Sequence, residues 1–530
     1  MTGTTVPAAD LPRVTYANTG VDLTPLHDFL DTRLPEFKAR ILGGTYTNCI
    51  NGQSDTDGTS FTVHSPIDGV TELGSFIAAS EQAVGRAVGA AQDAFLAWNA
   101  MGWEARVALL RAWAKILYAR KYDLALAALF EVGKSRVEAL GEADEVFDMV
   151  SYYCDEMERH KGYVTPLNRV FPHESTLSIL RPLGVFGVIS PFNYPAALLI
   201  GMSAGALVTG NTVVMKPSEG CTLSARIVMD TLTAAGIPAG VVNLVAGGAR
   251  TGAALVEHPG IAGVAFTGSY RTGMHILRLV NAGPYARPVI AEMGGKNPAY
   301  VTANADLAKA AQGVARSAFG LQGQKCSACS VVYVDETVRD AFTEHLRAYT
   351  ATLVIGNPER RETFLGPVYN GAAAHRMTQA LDAARGQGSI LFGGKRADVP
   401  ADLQGGHYFE PTLVAVEKGH ALTRDEQFLP LLALRTFTRL ESAIAEGNDV
   451  LYGLAAGIYT EDATELECFL NRTEAGALYA NRASGATTGA WPGVQSFCGW
   501  KGSGVTLKGG LGPHYLPQFM REQSRTVMED

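Results

Sequence analysis

Apolar residues follow two rhythms along this chain. From Ser80 to Met101, and again from Glu104 to Glu131, alanines and leucines recur at helical spacing. Arg136 to Arg159 continues with a further helix, whose acids Glu142, Asp144, Asp148 and Asp155 read as a solvated face. From Gly184 the rhythm changes to short apolar runs of strand length. Val185–Ser190, Val213–Lys216, Val241–Val245 and Val264–Thr267 alternate with helical stretches at Ser224–Ala235, Thr251–His258 and Arg271–Leu279. Buried strands separated by helices predict a parallel, doubly wound sheet. After Gly295 a second series begins with Pro298–Val301, Leu307–Phe319, Val331–Val334, Val338–Ala351 and Arg376–Gln387. Strands near Leu413–Val416 and Leu432–Phe437 complete it, so the expected fold class is α/β with two doubly wound domains joined near Glu292–Lys296.

The remaining segments read differently. Residues 1–44 form an N-terminal extension with a helix near Thr32–Ile41, and Tyr46–Ile50 alternates like a strand before the Asn51-Gly52 turn. Tyr163–Leu180 is extended and broken by Pro166 and Pro172, and the tail after Gly512 is extended as well.

Composition narrows the function classes. A chain of 530 residues exceeds the size at which one core splits into domains. A net charge of −8 and a pI near 5.8, with no long basic run, exclude a nucleic-acid footprint. Seven scattered cysteines do not form a disulfide framework and point to a reducing, cytoplasmic setting. Met1–Gly20 is neither a secretory signal nor an arginine-rich transit peptide. Nothing between Arg181 and Lys216 is charged, but prolines interrupt the stretch. Its longest helix, about Ala196–Val208, is short of the roughly 20 residues a membrane span needs, so no membrane partner is expected.

Candidate chemistry centres on Gly323-Gln324-Lys325-Cys326-Ser327-Ala328-Cys329. A thiol attacks as thiolate, and a neighbouring cation such as Lys325 is expected to favour that form. Glu292, in Glu292-Met293-Gly294-Gly295-Lys296-Asn297-Pro298, supplies a carboxylate, and thiol plus carboxylate suggests a covalent intermediate cleared by activated water. Asn193, in the proline-fixed loop Ser190-Pro191-Phe192-Asn193-Tyr194-Pro195, projects an amide that together with the Cys326 N–H suits an oxyanion. No Gly-x-Gly-x-x-Gly follows any candidate strand. Instead, Phe266-Thr267-Gly268-Ser269-Tyr270-Arg271-Thr272-Gly273 offers helix amides to a phosphate, and Lys216 and Glu219 follow a strand where ribose hydroxyls are held. Taken singly, each of these is also what a structural turn or a packing cysteine looks like. A redox or metal protein built on Cys326-x-x-Cys329 is the rival from another class, although no second pair or histidine ligand spacing supports it and no metal is expected.

In this order the blocks resemble the aldehyde dehydrogenase superfamily from about residue 45 to the end. The resemblance implies two Rossmann-like α/β domains and a small β oligomerisation flap. Residues 45–162 and 183–292 would bind NAD, 293–504 would be catalytic, and 163–182 with 505–530 would form the flap of a homo-oligomer, dimeric or dimer-based. It implies Cys326 as nucleophile toward a small aldehyde, Asn193 at the oxyanion and Glu292 as the base for hydrolysis. Lys216 and Glu219 would hold the adenosine ribose, Gly268, Ser269 and Gly273 the pyrophosphate region, and Glu426 and Phe428 the nicotinamide ribose side. Leu429 stands where glycine is usual, which puts the backbone there in question. Within the superfamily, Gly323–Ser330 and Thr487–Gly499 are most similar to the 1-pyrroline-5-carboxylate dehydrogenase family, which implies oxidation of glutamate-γ-semialdehyde to glutamate in proline catabolism. Ser327, Gly489 and Ala490 would then anchor the substrate carboxylate, Phe497 and Tyr194 would wall its stem, and Asp148 would meet its ammonium group. Cys498 also replaces a usual glycine. A dehydrogenase of another semialdehyde, such as the succinylglutamate one, is the alternative within the class.

Overall fold

Two seven-stranded sheets organise the chain in the structure, a computed structural model that describes residues 11–15, 21–483 and 491–529. In the first sheet the strands lie in the order Val289–Glu292, Ile261–Thr267, Val185–Ile189, Thr212–Lys216, Val242–Leu244, Asn48–Ile50 and Gln53–Asp55. From Val289–Glu292 to Val242–Leu244 all neighbours are parallel, because intervening helices return the chain to the same end. Asn48–Ile50 joins antiparallel, and the Asn48 side chain fixes it by accepting from the Ala246 N–H at 2.7 Å.

The second sheet has the order Gly388–Phe392, Thr412–Val416, Leu431–Phe437, Cys329–Asp335, Asn297–Val301, Ala455–Tyr459 and Ala477–Ala480. It is parallel except at the edge strand Gly388–Phe392. Three strands beyond those expected complete it, the edge strand Gly388–Phe392 and, on the opposite side, the pair Ala455–Tyr459 and Ala477–Ala480. The last two are the ones the sequence hides. Their small, alanine-rich sequences carry little β-propensity, and burial between layers makes them strands. Glu292 ends an edge strand of the first sheet, and Asn297 begins an inner strand of the second, so Met293–Lys296 crosses between them. A separate three-stranded sheet combines Val164–Pro166, Glu174–Pro182 and Met520–Met528.

The α/β class and several helices match expectation, Arg136–Arg159 and Leu307–Phe319 to the residue. The N-terminal helix starts earlier, spanning Thr24–Ile41 through Pro35 and burying Leu26, Leu30, Leu34 and Phe37 along one stripe. The expected long helix from Glu104 breaks at Arg120 into Trp103–Ala119 and Lys121–Val132. The second piece is buried on every side, Lys121, Asp123 and Glu131 included, so it has no solvated face whose phase would mark the break.

The acids of Arg136–Arg159 depart most from the pattern. Asp155 is exposed and pairs with Arg111, but Glu142 and Asp144 are each 1% exposed. The helix packs on three sides, and these two buried carboxylates have each found a cation. Asp144 takes Lys121 at 2.8 Å, and Glu142 takes the equally buried Lys134 at 2.6 Å. The other Glu142 oxygen accepts from the Ala196 and Ala197 amides at 2.8 and 3.0 Å, at the start of the helix Ala197–Val208. That helix has no side-chain cap of its own, so Glu142 satisfies its free amides from across the core.

Glu142→Ala would leave a buried ammonium and two helix amides unpaired. It is expected to cost about 3–5 kcal/mol in urea unfolding, and Lys134→Met in the same chain should recover a large part. A loss under about 1 kcal/mol for the single variant would mean the pair behaves like a surface ion pair.

Candidate active site

Cys326 lies at the end of a loop whose backbone is unusual. Leu321, Gln322 and Gly323 all adopt left-handed φ, of 51°, 55° and 67°. Only the glycine does so without strain, and consecutive non-glycine residues there cost energy that surrounding contacts must supply. Those contacts come from blocks remote in sequence. A side chain on Gly323 would collide with the Leu429 carbonyl, 2.1 Å from its ideal Cβ position. A Cβ on Gly295 would meet the Cys326 carbonyl at 2.3 Å. Asn297 donates to the Cys326 and Ala328 carbonyls at 2.7 and 2.9 Å and accepts from the Ala455 amide. The Gly-Gly-Lys-Asn run is therefore a clamp on the cysteine loop.

The loop from Ser190 approaches from the other side. Asn193 is buried, and one of its amide hydrogens goes to the Gln324 carbonyl at 2.9 Å. A primary amide has a second donor, which is left for a group beside Cys326. Phe192 stacks on Tyr369 at 3.9 Å and meets the edge of Phe428. Tyr194 lies under the Lys134 ammonium, 3.6 Å from its ring centre, so the buried Lys134–Glu142 pair holds the loop that presents Asn193.

A cavity of about 340 Å³ brings together Asn193, Gly268, Ser269, Cys326, Glu426 and Phe428. Glu426 accepts from the Gly295 amide at 2.9 Å, and its carboxylate fills the space a Gly294 side chain would need. Burial pushes the Glu426 carboxyl up to about 7. Leu429 raises no backbone conflict. The left-handed residue of this block is Phe428, with φ of 58°, and Leu429 is simply buried. Ser269 caps the helix Tyr270–Val280 and is exposed at its N-terminus. Gly273 faces away, packed where a Cβ would strike Met293 and Phe266.

Glu292 accepts from the Gly510 amide at 2.8 Å, and burial pushes its carboxyl up to about 7. Burial also pushes the Cys326 thiol up to about 12, reinforced by the charges of Glu426 and Glu292. Lys325 does not act as expected. Its ammonium pairs with Glu138 at 2.7 Å, a partly buried acid on the Arg136–Arg159 helix, rather than lowering the thiol. Sequence adjacency put the cation next to the thiol, but the chain turns here, the Ala328 N–H donating to the Lys325 carbonyl at 3.1 Å, and the two side chains go to different partners. Cys329 starts a core strand, with its thiol donating to the Val331 carbonyl.

Lys216 and Glu219 are neighbours at the end of Thr212–Lys216. The buried Lys216 ammonium donates to the Pro217 and Gly247 carbonyls at 2.7 and 2.8 Å, and burial lowers it to about 8. The Glu219 carboxylate lies 3.2 Å from where a Gly248 Cβ would sit, so that glycine keeps the approach open. Ser327 is buried beside Cys326. Phe497 is bridged to Gly510, and Cys498 next to it donates to the Gly476 carbonyl. Gly489 and Ala490 lie outside the described residues. Asp148 is engaged elsewhere, by Arg13 from the N-terminal segment and by the Trp491 indole, both at 2.7 Å. One turn earlier, Glu145 is buried with no hydrogen-bond or ion-pair partner among the described residues, and burial followed by Glu142 raises it to about 8. Sequence reading passed over Glu145. The only available signal was its place on the same helix face as Asp148. Among the described residues no group of three or more His, Cys, Asp or Glu is arranged to hold a metal, and no helix is long and apolar enough to cross a membrane.

Comparison with known proteins follows this geometry. A profile of the aldehyde dehydrogenase family matches residues 53–524. The 1-pyrroline-5-carboxylate dehydrogenase of Geobacillus thermodenitrificans is 34% identical over 494 residues, 92% of this chain and 93% of that protein. The enzyme of that name from Bacillus subtilis is likewise 34% identical, over 495 residues. Among solved structures, 1-pyrroline-5-carboxylate dehydrogenase from Thermus with bound NAD superposes with a TM-score of 0.90 at 30% identity, covering 99% of this chain and all of that one. Proline utilization A from Bdellovibrio bacteriovorus gives 0.89 at 33% identity over 96% of this chain, which spans about half, 52%, of that longer protein.

The raised thiol makes a testable statement about the free protein. Alkylation of Cys326 by iodoacetamide should be slow at pH 7 and keep rising about tenfold per pH unit through pH 9. Mass mapping of the labelled peptide reads it, and a plateau below pH 8 would show a thiolate already stabilised in the unliganded site.

Proposed function

The chain belongs to the aldehyde dehydrogenase family, and we propose that it oxidises glutamate-γ-semialdehyde, the open form of 1-pyrroline-5-carboxylate, to glutamate with NAD. The observation that carries the reading is the thiol of Cys326 on one cavity with the spare amide donor of Asn193, with Glu292 close enough for its charge to act on the thiol.

The residues fit the dinucleotide. Glu219 and Lys216 match an adenosine ribose, the Ser269-capped helix start matches the phosphates, and Glu426 in its glycine cradle matches the second ribose. When bound, NAD accepts a hydride from the substrate carbon. The remaining chemistry belongs to the chain. Glu292, about half ionised near neutrality, takes the thiol proton, and the Cys326 sulfur bonds to the aldehyde carbon. The carbonyl oxygen becomes an oxyanion held by the Asn193 amide and the Cys326 backbone N–H. Loss of hydride leaves a thioester on Cys326. Glu292, having passed the thiol's proton to solvent, then removes a proton from a water as the water oxygen bonds to the acyl carbon, the C–S bond breaks, and the thiolate leaves.

For the substrate, Ser327 beside the nucleophile and Phe497, bridged to the Gly510 whose amide holds Glu292, support a carboxylate-bearing chain of limited length. Gly489 and Ala490 remain the expected amide donors for its carboxylate. Glu145 suits the α-ammonium better than Asp148, whose carboxylate Arg13 and Trp491 already occupy. We also assign the chain to a homo-oligomer. The three-stranded sheet leaves Val170, Phe171, Val527 and Met528 more than half exposed, an apolar surface suited to a second copy. Light scattering is expected to give a multiple of 56.2 kDa, and the monomer mass would overturn that assignment.

The substrate reading is tested by NADH formation across a panel. Glutamate-γ-semialdehyde should exceed propanal in kcat/KM by at least about a hundredfold, the effect of losing a buried carboxylate's partners. NAD should exceed NADP, since the Glu219 carboxylate repels a 2′-phosphate. If succinylglutamate semialdehyde or propanal wins, the substrate is misassigned while the dehydrogenase chemistry stands.

A further inference from the structure

Behind Glu292, the chain turns two successive amides toward two different groups. The Gly510 N–H donates to Glu292 Oε1 at 2.8 Å, and the Leu511 N–H donates to the Tyr153 phenol oxygen at 3.3 Å. The backbone rotation at Gly510 aims the two amides apart, and the chain leaves this place through Leu511, a non-glycine residue at φ of 67°. Strain of this kind persists where the surroundings over-determine it. Tyr153 is 1% exposed on the Arg136–Arg159 helix and stacks on Tyr515 at 5.3 Å. Its oxygen accepts from Leu511, which leaves its own O–H needing an acceptor in a buried place.

Gly510 separates the two groups. A Cβ on it would lie 3.4 Å from the Tyr153 oxygen and 3.6 Å from Glu292 Oε1. The two oxygens are therefore no farther apart than the sum of those distances, and one water joins oxygens lying within about 5.6 Å, two O–H···O bonds end to end. Both distances are ordinary van der Waals contact and φ at Gly510 is not left-handed, so glycine is not needed there for clearance or for conformation. What the missing methyl provides is room.

We propose that Tyr153 is a positioning residue for Glu292, donating its phenolic hydrogen through one water seated beside Gly510 to orient the carboxylate and favour its ionised form. The proposal rests on Glu292 being the base that clears the thioester. Burial disfavours the charged carboxylate, and only the Gly510 amide opposes that directly. A second, water-mediated donor opposes it further and fixes which oxygen faces the hydrolytic water. The other groups facing this place are Cys326 from the catalytic loop, Cys498 beside the Phe497 bridged to Gly510, Tyr515 from the C-terminal segment and Tyr152 next to Tyr153. Each is held neutral near pH 7 by burial. Glu145, two turns before Tyr153 on the same helix, titrates in the same range but is unchanged by the substitutions below.

The test is rapid mixing of the full-length protein with NAD and glutamate-γ-semialdehyde from pH 5.5 to 9, separating the first-turnover NADH burst from the later, deacylation-limited phase. Two substitutions attack the bridge from opposite ends. Tyr153→Phe keeps the ring and removes the donor, and Gly510→Ala keeps the amide and fills the water's place. Losing a donor to the charged form raises the carboxyl, so in both variants the acid limb of deacylation should move upward by about one pH unit. At pH 7 deacylation should slow about fivefold, as the ionised fraction falls from about one half to about one tenth, while the burst keeps its amplitude. Glu292→Gln marks the floor, a burst slowed by loss of the base for the thiol and no later phase. An acid limb at the wild-type position in both variants overturns the proposal, as does slowing without a shift. Should Tyr153→Phe fail to fold, Gly510→Ala decides alone. If wild type shows no NADH at all, the reading of the reaction fails instead, which is a distinct result.

Discussion

The buried ion pair of Lys134 and Glu142 is the interaction on which the site's geometry depends. Both residues are out of water, where each charge alone would be severely destabilising. Together they reach three things at once: the start of the helix Ala197–Val208, the ring of Tyr194, and the interior of the Arg136–Arg159 helix. The loop between Ser190 and Pro195 has few backbone hydrogen bonds of its own. Its position, and with it the direction of the Asn193 amide, is set by this charged core. A hydrophobic pair of similar volume would fill the space without satisfying the two free helix amides. The polar arrangement gives direction as well as occupancy.

Around Cys326 a similar logic operates through absence of side chains. Gly294 makes room for the Glu426 carboxylate, Gly295 for the Cys326 carbonyl, and Gly323 for the Leu429 carbonyl. Three chain segments far apart in sequence can then approach one another at backbone distance. Each motif glycine is explained by a different neighbour. Gly273 and Gly268 belong to packing against Phe266 as much as to any ligand.

These contacts explain which parts of the site were legible in the sequence. The glycine blocks, the proline-fixed asparagine and the thiol stood out because their residue types are costly or rare in ordinary elements, and their order was specific. The parallel strands were legible because burial on both faces makes them continuous apolar runs. Illegible features were those decided by tertiary partners. Glu142 and Asp144 look like solvated acids unless Lys134 and Lys121 are seen against them. Lys325 looks like an activator of the thiol until its side chain is found on Glu138. Asp148 and Glu145 are interchangeable by spacing. Only the arrival of Arg13 and Trp491 from opposite ends of the chain separates them.

The small sheet carries a consequence for how the chain is made. Met520–Met528 pairs along its full length with Glu174–Pro182, in a register that sets Ser178 beside Glu522, 344 residues apart. A ribosome delivers the earlier strand long before its partner exists. Until Met520–Met528 is made, therefore, the strand Glu174–Pro182 has one edge unpaired, with its amides and carbonyls open to solvent or to other nascent chains. Closing so long a loop is entropically slow, which makes this sheet late to assemble.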